Sequence, residues 1–247
     1  MSADRTGLGC FFLGRGPWTV LAALWLAATA AAVWLWPVVM LFDSLPDRLL
    51  RGIGAAEAVG VACLTASAWC LAPGMPTWER SAPRRARRWA AGCVSALLTA
   101  YAALGPLTRW LVYALPQRWV PRNSDGQTAR SQFIEPPSLS SLLAQPRLLD
   151  TVAAGGAVVL AIGLLGRVLG TLVGLICYGA FIWVQGDATL CQVSPYGICL
   201  RHISDPYQPL AAIVGIAALG AAATVFWAKT GGAGILRTRT PFMSLSS

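Results

Sequence analysis

The run Thr151–Gln185 reads TVAAGGAVVLAIGLLGRVLGTLVGLICYGAFIWVQ, and Arg167 is its single charged side chain at neutral pH. A stretch this apolar, with no two-residue alternation, fits helix in lipid and not a barrel strand. In a bilayer a helix satisfies every backbone N–H and C=O within its own segment. As one helix the run would extend about 52 Å at 1.5 Å per residue, far beyond a hydrocarbon core of about 30 Å. Gly163, Gly166 and Gly170 permit a turn that splits it in two. Gly166, Gly170 and Gly174 equally form a four-residue stripe of the kind that lets helices approach closely.

Four more runs of this character flank it: Trp18–Phe42, Gly52–Ala72, Trp89–Leu115 and Leu210–Ala228. With 56% hydrophobic and 12% charged residues, the composition is that of a chain dissolved in lipid. The expected fold is all-α: a polytopic integral membrane protein of about six transmembrane helices with small-residue packing. The helices fall near 18–42, 52–72, 89–115, 150–166, 168–185 and 209–228, and five helices is the alternative if Thr151–Gln185 stays whole. Small pairs such as Ala56/Gly60 and Ala211/Gly215 mark close contacts within one chain or in a homo-oligomer.

Orientation follows from where basic residues collect, because short loops on the cytoplasmic side retain them. Arg80, Arg84, Arg85, Arg87 and Arg88 crowd the segment 73–88 against the lone Glu79, which makes that segment a cytoplasmic loop. The first apolar run follows Arg5 and Arg15 and is too long for a signal peptide, so it reads as a retained helix with a cytoplasmic N-terminus. The loops 116–149 and 186–208 then lie outside, and the tail 229–247 inside. The five arginines would contact anionic lipid or a cytoplasmic partner. Several tryptophans, among them Trp18, Trp69 and Trp89 inside and Trp34, Trp110 and Trp119 outside, fit an anchoring belt.

The net charge of +9 does not imply nucleic acid, because the basic residues are dispersed along loops and helix ends. Lys229 is the only lysine among 19 basic residues, and this arginine bias with Ala-rich helices points to a high-GC bacterium and its cell membrane.

Glu57 lies inside an apolar run, where an ionisable group is costly enough to count as a functional candidate. Arg109 lies at a similar depth in the next run, and an intramembrane ion pair Glu57–Arg109 is expected, chiefly as a structural lock between helices. Pro37 and Gly105-Pro106 should bend their helices nearby. Cys191 and Cys199 delimit a short loop that an oxidising compartment would close as a disulfide. Cys63, Cys70, Cys93 and Cys177 read as buried small residues.

His202 is the only histidine, and the chain has no P-loop, GxSxG or CxxC motif, so no metal site, cofactor or catalytic residue is expected. The leading expectation is a non-enzymatic structural or interaction component of the membrane that engages lipids or partner proteins. A permease subunit is the alternative, and a membrane thiol oxidoreductase a third reading.

Overall fold

A computed structural model describes residues 18–35, 39–42, 51–73, 84–120, 122, 146–186 and 208–233. Its helices are α1 (Trp18–Trp34), α2 (Ala55–Leu71), α3 (Arg84–Ala102), α4 (Leu104–Ala114), α5 (Pro146–Leu165), α6 (Arg167–Gly186) and α7 (Gln208–Thr230). A 3-10 turn, Gln117–Trp119, follows α4. Over the described residues the fold is all-α apart from an antiparallel ribbon, β1 (Val39–Phe42) with β2 (Arg51–Gly54), in which Val39 lies opposite Gly54 and Phe42 opposite Arg51, and a bridge residue at Arg122.

Helix α5 is the axis of the packing, with α6, α7, α2 and α3 all set against it. Its Ala153-Ala154-Gly155-Gly156 run and Gly163 keep its surface low, so neighbours come close to its backbone. Leu64 of α2 covers Gly155, and Thr151 lies where a side chain on Gly60 would stand. The small residue at position 60 therefore serves a contact within the chain.

The run Thr151–Gln185 breaks at Gly166, whose φ of 86° is open to glycine and strained for other residues. Its N–H still reaches the Ile162 carbonyl at 2.9 Å, ending α5 in the left-handed manner usual for a glycine after a helix. The same stripe then serves packing. A methyl group on Gly170 would fall on the Ile162 and Ala161 backbone, and one on Gly174 would stand 2.6 Å from Val158 Cα. One glycine turns the chain, and the next two let α6 lie flat on α5.

Helix α7 locks onto α5 through Trp227, which is 0% exposed and donates its indole N–H to the Val159 carbonyl at 2.8 Å. The Thr230 hydroxyl lies between the carbonyls of Phe226 (2.8 Å) and Gly163 (3.1 Å) and accepts the Gly232 N–H. On the other flank Val94, Leu98 and Tyr101 of α3 complete the core, with the Tyr101 hydroxyl 3.4 Å from that of Ser67. Helix α1 attaches through the Trp25 indole on the Ala100 carbonyl and a small cluster of Val33, Val112 and Val120.

Several expectations need correction. The first helix ends at Trp34 and not near 42, and Val39–Phe42 is a strand. Pro37 explains this: it has no N–H for the preceding turn, and its ring disfavours helix in the residue before it. The run 89–115 is two helices meeting at Ala103. Pro106 withholds the bond that the Ala102 carbonyl would accept, while Ala103 N–H to Thr99 and Leu107 N–H to Ala103 hold the flanks. Arg84–Arg88 form the first turns of α3 and are not part of a loop.

These interruptions correct the multi-pass reading, and six spans are not shown. Among the described residues one helix, Ala86–Ala114 taken through the Ala103 kink, is long and apolar enough to cross a bilayer, at 29 residues. Elsewhere the apolar helical stretches whose side chains are described, Trp18–Trp34, Ala55–Leu71, Thr151–Leu165, Arg167–Ala180 and Val214–Thr230, run 10–17 residues. Those stretches alone reach at most about 25 Å at 1.5 Å per residue, against a core of about 30 Å, and the last three lie within helices α5, α6 and α7 of 20, 20 and 23 residues. The general expectation of a disulfide is corrected over the described residues only. Among the described residues no disulfide is present, none of Cys63, Cys70, Cys93 and Cys177 being cross-linked, and Cys191 and Cys199 lie outside those residues. Cys177 is exposed on α6, where burial was expected.

Candidate functional site

Chain direction gathers the basic residues. Helices α2 and α7 arrive at one end of the bundle by their C-termini, and α3 and α6 leave from it. Trp69, Arg84–Arg88, Arg167 and Lys229 therefore share that end. Two contacts fix the arrangement. Arg87 donates through Nη1 to the Lys229 carbonyl at 3.1 Å, a favourable place for a cation because the last carbonyls of a helix carry partial negative charge. Arg167 lies over the Trp69 ring with its guanidinium carbon 4.3 Å from the centroid, in cation–π geometry. In both arginines Nε is buried and makes no hydrogen bond.

Arg84, Arg88 and Lys229 are exposed, as is Trp89 beside them. The acidic residues among those described, Glu57 and Asp150, stand at or near the starts of α2 and α5, toward the opposite end. The end is thus uniformly basic over the described residues. Arg80 lies outside them, and of Arg85 the backbone alone is described. Sequence alone singles out Arg84, Arg87 and Arg88, whereas Arg167 reads there as a turn residue and Lys229 as a tail charge. Their nearness to this cluster comes from the α5–α6 turn and the end of α7.

Glu57 is 3% exposed, and its Oε1 accepts the Tyr178 hydroxyl at 2.9 Å. A carboxylate at this depth needs such donors, since burial without them costs several kcal/mol. The Arg109 side chain lies outside the described residues, so the expected ion pair does too. No sequence signal pointed to Tyr178. It lies 121 positions from Glu57, and only the folding of α6 against α2 brings them together.

The phenol–carboxylate bond ties α6 to α2 far from the Arg167–Trp69 stack. Tyr178→Phe keeps the ring and removes the hydroxyl, and it should lower stability by about 1.5–3 kcal/mol, the usual worth of a hydrogen bond to a charged group. Denaturant titration of the detergent-solubilised protein measures this, and an unchanged midpoint would show the bond to be idle.

No group of three or more His, Cys, Asp or Glu side chains that could hold a metal occurs among the described residues. Searches with family models, against curated proteins and against solved structures find no match to the chain.

Proposed function

We propose that this protein is a non-enzymatic component of a bacterial cell membrane, with its N-terminus cytoplasmic, that works by holding lipids or partner proteins against its helices. The observation that carries this reading is the outer face of α6. Leu169, Leu172, Val173, Leu175 and Ile176 point away from α5, and Ile176 is 68% exposed. A contiguous apolar face of this kind is unfavourable in water and matches lipid tails or a packed partner. Exposed Leu26 on α1 and Val214 and Val225 on α7 extend the same character around the bundle. The candidate span Ala86–Ala114 supplies the anchor. The non-enzymatic part of the reading is supported by a single histidine and the lack of nucleophile, phosphate-loop and dithiol motifs in the whole sequence.

Phase partition tests this directly. The full chain should enter the detergent-rich phase above the cloud point of Triton X-114 and float with phosphatidylcholine vesicles after an alkaline carbonate wash. Monodisperse protein in the aqueous phase, stable without detergent, would refute the membrane reading.

A further inference from the structure

We propose that the basic end of the bundle is a binding surface for the phosphate headgroups of anionic phospholipids. It rests on the membrane reading above and names the lipid chemistry and the place. Arginine and apolar side chains alternate there over single residues: exposed Arg88 is followed by exposed Trp89, and Arg167 by exposed Val168 and Leu169. Such pairs sit well at the boundary between headgroups and acyl chains, where a guanidinium meets phosphate and the neighbouring side chain meets hydrocarbon.

Two of the cations are held in place before any ligand arrives. Arg87 is anchored by the Lys229 carbonyl and Arg167 by the Trp69 ring. Each has a buried Nε, leaving the remaining terminal nitrogens as its donors, and a planar fork matches a phosphate oxygen pair. Fixing these side chains in the protein removes part of the ordering cost that binding would otherwise carry. Exposed Arg84, Arg88 and Lys229 add long-range attraction, and no described acidic residue at this end opposes it. A soluble acidic protein would satisfy the charges and leave Trp89, Val168 and Leu169 without partners, whereas a lipid layer satisfies both.

The test uses the full chain in dodecyl maltoside micelles and reads quenching of tryptophan fluorescence by brominated phosphatidylglycerol against brominated phosphatidylcholine. Phosphatidylglycerol should quench half-maximally at a mole fraction at least tenfold lower, and high salt should shrink the difference. Arg84→Gln with Arg88→Gln, both at exposed positions, should erase at least tenfold of the preference, at about fivefold per charge, while quenching by phosphatidylcholine stays as in the parent. Arg167→Lys keeps the charge and loses the planar stack, so it should reduce the preference as well.

Equal quenching by both lipids would overturn the headgroup proposal and leave the membrane reading standing. Quenching by neither would overturn both. Competition by inorganic phosphate or polyglutamate well beyond that of sodium chloride at equal ionic strength would overturn the lipid assignment in favour of a soluble anion.

Discussion

Gly170→Leu will detach α6 from α5 and destabilise the protein by about 3 kcal/mol or more, the upper range for overpacking. The reason lies in what the new side chain meets. It would collide with the backbone of Ile162 and Ala161, which belongs to the central helix and cannot rotate away as a side-chain tip can. Gly170→Ala should already cost about 1–3 kcal/mol, despite the higher helix propensity of alanine. Gly179 is the internal control. It lies on the same helix with nothing within 4 Å of the place a methyl group would take, so Gly179→Ala should gain up to about 1 kcal/mol from propensity alone. Unfolding midpoints of the three variants in one detergent decide the matter, and a Gly170→Ala protein as stable as Gly179→Ala would show that α6 does not pack as described.

How legible this was in the sequence varies from residue to residue. The glycines of Thr151–Gln185 admit two readings, a turn or a packing stripe, and the fold uses both because the stripe continues from the turning residue. Periodicity could not show this, since a helical hairpin and a straight helix place residues four apart on the same face until the break is known. Apolar run length overstates helix length at 18–42 and 89–115, where Pro37 and Pro106 read as bends and one of them ends a helix instead. The burial of Glu57 could be anticipated from its apolar neighbours. Its hydrogen bond to Tyr178 could not, because a contact across 121 residues is fixed by which helices adjoin and in what register. The basic end was half visible: Arg84, Arg87 and Arg88 are close in sequence, whereas Arg167 and Lys229 join them only through chain reversal.

Trp227→Ala should cost about 3–5 kcal/mol, as removal of a fully buried aromatic ring does. Trp227 is wholly enclosed, with α5 on one side and the turn after α7 on the other. A side chain on Gly163 would come within 2.8 Å of its Cδ1, and one on Gly232 within 2.8 Å of its Cζ3. Both glycines are thus shaped to the ring, and the loss falls on α5 and α7 together. Trp227→Phe separates the contributions: it keeps most of the ring contact and drops the N–H to the Val159 carbonyl, so about 1 kcal/mol of the total should remain as its cost, beyond a small packing change. The sign of a double-mutant cycle then tests the geometry. Gly163→Ala should destabilise the parent by crowding the indole, yet in the Trp227→Ala background the same methyl group enters the vacated space and should be neutral or stabilising. A coupling of about 0.5–3 kcal/mol in that direction, measured from denaturant midpoints, is what touching residues give. Additive effects would mean that Trp227 and Gly163 do not meet, and the register of α7 on α5 would have to change.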